Sequence, residues 1–391
     1  MLFYSCFPDA YFRSRIERGL YLTQAGQKFQ KSLIKGFCAN QADMTVLFFY
    51  DKEEQESISC EETYYGKTVS YQGYLLKGNT ISRSLLRVKR IRQFIAEGVR
   101  NGYQYLVVDA LNPYAAVISR IARKNGVCLI TYITDFVEYL DYGSDRLSVR
   151  LKKRLLIREF YKQFAYTDLF VLLTENMKDK IPGNNIRSVV VDGLVDLEHD
   201  PPDANFTSGG KTTFVYTGSI CKMFGLKTLV QAFINAALPM AELHLYGNGD
   251  YIEELRSVCE QHTNVRYFGV VPNEEIPMIL SHASFLVNPR PVSDEYNKYS
   301  FPSKTMEYLL SGVPTITTRL PSIGDEYTPY LNFFDADDIE GIRDTLIRIC
   351  QEDYSELIEK ARMAKAYISK TKNHQLQCKR IMEKALHDRE A

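Results

Sequence analysis

Between Asn288 and Thr317 the chain reads NPRPVSDEYNKYSFPSKTMEYLLSGVPTIT. It implies a strand end, a loop, a helix opened by Pro302, a stop at Gly312 and a new strand over Val313–Thr318. The helix N-terminus faces a loop carrying Arg290, Ser300 and Ser303, with Lys304 in its first turn. Unpaired N–H groups and the helix dipole favour negative charge there, so the chemistry is anion binding, a phosphate above all. Glu307 follows Lys304 by three residues and Ser303 by four, which puts all three on one helix face. A carboxylate one turn below a phosphate suits a ribose diol, because it accepts from two hydroxyls at once.

The elements that position this stretch alternate between strand and helix patterns. In the first half, strands are expected at Met1–Cys6, Met44–Tyr50, Tyr105–Asp109, Val127–Ile133, Leu169–Leu173 and Ser188–Val191. Helical periodicity runs through Ala25–Cys38, Ser82–Arg100, Tyr114–Lys124 and Asp145–Phe164, while Pro8–Thr23 reads as a loop. Asp192–Lys211, with Pro-Pro and Gly-Gly, reads as a linker. A second alternation begins at Thr213–Tyr216 and closes with helices over Gly341–Glu352, Tyr354–Lys370 and Asn373–His387. This order predicts an α/β chain of two doubly wound parallel sheets, with ligands at the strand carboxyl ends. The expected domains are 1–205, 206–370 and a terminal helix 371–391 crossing back to the first domain.

Composition sets outer bounds. Lysine plus arginine and aspartate plus glutamate both number 48, so bulk charge proposes no nucleic-acid partner. No apolar run reaches the roughly 18 residues of a membrane span, and the N-terminus lacks signal-peptide features, so a cytoplasmic protein is expected. Eight cysteines without a CxxC pair read as free thiols in a reducing compartment.

Four blocks then stand in order: TFVYTGSICKMFGLKTLVQAF, LHLYGNGDYIEEL, VRYFGVVPNEEIPMIL and FPSKTMEYLLSGVPTIT. Together they resemble glycosyltransferase family 4, the retaining sugar-nucleotide transferases of the GT-B fold, most strongly from Thr213 to Thr317. In the first half only scattered features match, such as AGQKF, YITD and VDGLVD. The resemblance implies two Rossmann-like domains facing each other across a cleft. It implies that Glu307 holds a ribose, that Gly218 and Ser219 form the loop under the diphosphate, and that Gly247 and Gly249 pass close to the nucleoside. Val270 and Val271 would offer backbone bonds to the base.

Departures from that pattern are Ser219 and Phe224, where the family carries a basic pair, and Tyr299, where it carries a Glu near the donor sugar. Lys222, Arg290 and Lys304 are the nearby cations expected to neutralise the diphosphate instead, with Tyr299 and Ser300 beside the donor. Asp335-Ala336-Asp337 resembles a metal-binding DxD but precedes a helix, where acidic residues cap N–H groups. No metal or other cofactor is expected, and the nucleotide-sugar is a substrate. No histidine occurs before His199, so the first domain has no histidine base. The resemblance implies that the departing phosphate takes the acceptor proton. Asp135, at a strand end, is expected to orient the acceptor hydroxyl.

Arg150, Lys152, Lys153, Arg154 and Arg158 crowd one helix among leucines and aromatics, which suits contact with an anionic membrane surface. The combined expectation is a peripheral hexosyltransferase that uses a nucleotide-diphosphate donor, UDP-sugar first. It would act with retention on a glycan or lipid-linked acceptor in bacterial surface-polysaccharide synthesis. The alternatives are a non-catalytic partner subunit of another transferase and a sugar-nucleotide epimerase.

Overall fold

The computed structural model describes residues 1–18, 24–51, 57–140, 147–197, 202, 204, 210–293 and 295–386. Half of the expected linker, and the first residues of the expected helix at Asp145, lie outside that set. Two compact units result: Met1–Leu194 with the segment from His374, and Val195–Asn373.

In the first unit the elements run β1 (Leu2–Tyr4), α1 (Asp9–Glu17), α2 (Gln24–Ala39), β2 (Met44–Tyr50), β3 (Ser57–Tyr64), β4 (Lys67–Leu75) and α3 (Thr80–Arg100). They continue with β5 (Tyr105–Asp109), α4 (Ala115–Lys124), β6 (Cys128–Ile133), α5 (Leu147–Lys162), β7 (Leu169–Leu172) and β8 (Ser188–Val190). The sheet order is β3-β4-β2-β1-β5-β6-β7-β8.

Two features differ from the sequence reading. Asp9–Glu17 is helical rather than loop. Residues 57–75, for which no element was expected, form an antiparallel hairpin that gives the sheet a non-parallel edge. The hairpin turn is Tyr65-Gly66, both with positive φ (52° and 74°), a backbone twist that matches the twist of paired strands. Lys31 of α2 ties to this hairpin. Its ammonium reaches Glu62 at 2.7 Å and donates to the Tyr71 hydroxyl at 3.0 Å. Burial opposes charge on Glu62, yet Lys31, Tyr64 and the Asp9 N–H together hold its carboxyl below the usual range.

The second unit comprises β9 (Thr212–Thr217), α6 (Leu226–Ala236), β10 (Ala241–Tyr246), α7 (Ile252–Gln261), β11 (Val265–Gly269), α8 (Ile276–Ser281) and β12 (Phe285–Asn288). It ends with α9 (Tyr296–Tyr299), α10 (Ser303–Ser311), β13 (Thr315–Thr317), β14 (Asn332–Phe333), α11 (Ile339–Ile349) and α12 (Tyr354–Thr371). Its strands are parallel in the order β11-β10-β9-β12-β13-β14. Alternation along β9 sends Phe214 and Tyr216 into one core with Leu243, Phe233 and Leu346. Val215 faces the other way, against Leu280, Leu286 and Tyr308. Helix α13 (His374–Leu386) belongs to the first unit, where Cys378 and Ile381 join the core of Phe37 and Cys38 from α2.

Strand order sets where a ligand can sit. From β9 the chain steps outward to β10 and β11, then returns to β12 on the other side of β9. That reversal opens a crevice at the carboxyl ends of β9 and β12. In the first unit the reversal falls between β1 and β5.

Candidate functional site

At the carboxyl end of β9, Gly218 begins the loop to α6, with φ +152°. The loop ends at Gly225, with φ +77°, where a Cβ would lie 1.8 Å from the Pro289 carbonyl oxygen. The β9 loop therefore touches the loop after β12, which carries Arg290. The β10 loop packs on the same β9 loop from its other side. Gly218 N–H donates to Tyr246 O at 2.9 Å, and Ile220 N–H donates to Asn248 O at 2.8 Å. A Cβ on Gly247 would stand 1.7 Å from Gly218 O, and one on Gly249 would stand 2.2 Å from Ile220 O. Loop-on-loop packing therefore demands both glycines, whatever binds above them.

Helix α10 is tied to the same place. Thr217, the last residue of β9, donates its N–H to the Tyr308 hydroxyl at 2.9 Å. Asn288, the last residue of β12, donates from its side chain to Thr305 Oγ1 at 3.1 Å. Pro302 is the N-cap residue rather than first-turn, no side chain caps this helix, and Gly312 ends it at φ +72°. The first turn thus presents its N–H groups at the crevice, with Ser303 exposed. Lys304 donates to Glu307 Oε2 at 2.8 Å, and both side chains are about a third exposed (29% and 32%).

The remaining expected donor residues fall out as follows. Ser219 is exposed, and its carbonyl accepts from the Tyr216 hydroxyl at 3.0 Å. Lys222 is exposed and bonded to Glu254, which also takes Lys227 at 2.9 Å. Arg290 lies over the Phe224 ring, 4.6 Å from its centroid. Tyr299 and Ser300 are buried, and Ser300 donates to the Tyr296 hydroxyl at 2.9 Å. Val270 is 71% exposed just beyond β11, with Val271 next to it. Below them Phe268 stacks on Tyr246 at 4.7 Å. Of the DxD-like carboxylates, Asp335 pairs with Arg348 at 3.0 Å and Asp337 accepts from Val292 N–H at 2.7 Å. Asp338 is the cap of α11, accepting from Gly341 N–H at 2.7 Å. No group of three metal-ligating side chains occurs among the described residues.

The first unit holds a second cluster, at the ends of β5 and β6 beside its own reversal point. The Asp109 carboxylate accepts from Leu111 N–H at 2.9 Å and bonds to the Tyr132 hydroxyl, which also accepts from Gln30 Nε2 at 2.9 Å. Burial, and then the nearby charge of Asp135, push the Asp109 carboxyl up to about 6, against the pull of those hydrogen bonds. Asp135 was expected here. Asp109, Gln30 and Tyr132 were not singled out, although Asp109 carries the same signal, a carboxylate closing a strand. Strand order, which puts β5 next to β1, is what makes it prominent.

Helix α5 shows its basic face: Arg150, Lys152, Arg154 and Arg158 are exposed, and Lys153 is half-buried. Leu151 and Leu155 are 60% and 58% exposed between them. Among the described residues no helix is long and apolar enough to cross a membrane.

Residues 211–352 match the family model described as glycosyl transferases group 1. In this segment the chain is similar to the group 1 glycosyl transferases. The matched segment contains the whole crevice described above. No curated protein matches the chain in sequence. Among solved structures, sucrose-phosphate synthase from Thermosynechococcus elongatus aligns over 92% of each chain, at 14% identity and TM-score 0.66. HepE of Anabaena, solved in complex with UDP, aligns over 98% of each chain at 11% identity and TM-score 0.66. The lipopolysaccharide outer core galactosyltransferase WaaB aligns over 98% of each chain at 13% identity and TM-score 0.60. At such identities the likeness concerns the fold, which is GT-B: two Rossmann-like domains.

Proposed function

We propose that this protein is a retaining glycosyltransferase of family 4 type that moves a hexose from a nucleotide-diphosphate donor, UDP-sugar first, to a glycan or lipid-linked acceptor. The observation that carries this reading is the crevice at the carboxyl ends of β9 and β12. There an uncapped helix N-terminus, the Lys304–Glu307 pair and the Gly218 loop are bonded together through Thr217, Tyr308 and Asn288. Arg290, Lys304 and the N–H groups of α10 would hold the diphosphate, and Glu307 the ribose. The similar folds solved with UDP, UDP-glucose and UDP-2-fluoro glucose support uridine as the base.

Catalysis on this reading is positioning and charge stabilisation. The leaving phosphate accepts the proton of the attacking hydroxyl as the new bond forms on the same face of the sugar. Asp135, with Asp109 beside it, would orient the acceptor, and no metal is required. Helix α5, with basic residues around exposed leucines, would hold the protein on an anionic membrane where a lipid-linked acceptor is presented.

The test is direct. The purified chain is incubated with UDP-, GDP- and ADP-sugars and membrane-extracted acceptors, and the anomeric configuration of any product is read by NMR. Transfer with retention is expected. Binding without transfer or hydrolysis of any donor would favour the partner-subunit alternative, and inversion would remove family 4.

A further inference from the structure

Three cations were expected around the diphosphate, and the structure treats them unequally. Lys222 is bonded to Glu254 and Lys304 to Glu307. Arg290 has no carboxylate partner among the described residues. It is held by a ring and an amide instead. Its guanidinium carbon stands 4.6 Å from the Phe224 centroid, and Nη1 donates to Asn297 Oδ1 at 3.4 Å. Asn297 is 1% exposed and is itself fixed by donating to Pro291 O at 2.7 Å. Phe224 sits at the end of the Gly218 loop, and the Gly225–Pro289 contact brings that loop against the Arg290 loop.

We propose that Phe224 is a positioning residue: its ring carries the Arg290 guanidinium against the Gly218–Gly225 loop, where Arg290 is the principal cation for the donor's diphosphate. This rests on the donor reading given above and names how the site meets the phosphates without a basic residue at 219 or 224. A ring face attracts a guanidinium without neutralising it, and it leaves N–H edges for an anion. A lysine at 224 would instead place a second positive charge a few ångströms from Arg290. Phe224 and Arg290 thus form one device, in which the aromatic ring replaces a charge by aiming another.

The test is a double-mutant cycle read by calorimetry with UDP, and with uridine by competition. Phe224→Leu is expected to weaken UDP about 5–10-fold, the size of one partly desolvated cation–π contact, and to leave uridine within about 2-fold. Phe224→Tyr should restore UDP affinity. In an Arg290→Ala background, Phe224→Leu should cost less than about 2-fold further. UDP binding indifferent to Phe224, an equal loss for uridine, or an undiminished loss without Arg290 would each overturn the proposal while leaving the donor reading intact. Failure of the wild type to bind UDP, GDP or ADP would overturn both.

Discussion

Glu307 is a half-buried carboxylate on the helix that closes the crevice, with Lys304 as its cationic neighbour. If it accepts from a ribose diol, removing its charge while keeping its shape removes a charge-assisted hydrogen bond. Glu307→Gln should weaken donor binding by about 1.5–3 kcal/mol, with little change in melting temperature. Calorimetry with UDP checks this, and unchanged affinity would take Glu307 out of the site. Asp109 is the opposite case, a carboxyl whose surroundings disfavour its charge. Because its folded pKa of about 6 lies above the ordinary value of 3.8, the proton is held more tightly in the folded state. The stability associated with that proton is present below about pH 4 and is lost as pH rises through about 6. Asp109→Asn cannot lose it. The variant should match the wild type near pH 4 and exceed it by up to about 3 kcal/mol at pH 7.5, from 1.36 kcal/mol per unit. Denaturant unfolding at the two pH values measures the difference. A constant offset between them would show that Asp109 is charged at ordinary cost.

At the scale of elements, α10 and α5 show how far a helix's neighbours decide its use. Helix α10 has nine residues and buries Thr305, Met306, Tyr308 and Leu309, which leaves its first turn and the Lys304–Glu307 face for the crevice. Helix α5 instead leaves Leu151 and Leu155 in solvent among arginines and lysines, and Ile81 and Leu85 of α3 are 73% and 67% exposed. Helix α4 packs against both α3 and α5, so these apolar residues belong to neighbouring helices. Charge reversal at Lys152, Lys153 and Arg154 should release the protein from anionic vesicles while UDP binding persists. Wild-type attachment should also fade with salt, because the Debye length falls from about 10 Å at 0.1 M to about 3 Å at 1 M. Co-sedimentation across that range decides the matter. Equal pelleting of wild type and variant would make α5 an ordinary solvated helix.

For the molecule as a whole, the charge arrangement bears on metal dependence. Positive groups converge on the crevice from Arg290, Lys304 and the α10 N-terminus, whereas Asp335 and Asp337 are engaged with Arg348 and Val292 N–H. Transfer activity should therefore survive EDTA at full rate in a donor-saturated assay. Loss with EDTA that Mg²⁺ or Mn²⁺ restores would require a cation at the diphosphate and would reassign the work given to Arg290.

Much of this was written in local pattern. The alternation of apolar strands with amphipathic helices, the glycines after β9 and β10, and the Pro302–Gly312 bracket around α10 all follow from short-range backbone preferences, which sequence displays directly. The hairpin of β3 and β4 was also written there, in the period-2 run on either side of Tyr65-Gly66. The run is inconspicuous because the edge strand β3 has no buried residue and β4 alternates buried with half-buried positions, so neither carries a long apolar run. Other facts needed the tertiary structure. Only strand order shows that Gly218 and Arg290 flank one reversal point, and that Asp109 sits beside β1. Only packing shows that Gly247 and Gly249 are glycines because another loop's backbone occupies the space of a Cβ. The same holds for Phe224. Read along the chain it is a missing charge, and in space it is the surface on which Arg290 rests. Contacts between residues 66 positions apart are set by how the sheet is wound, and local propensity carries no record of them.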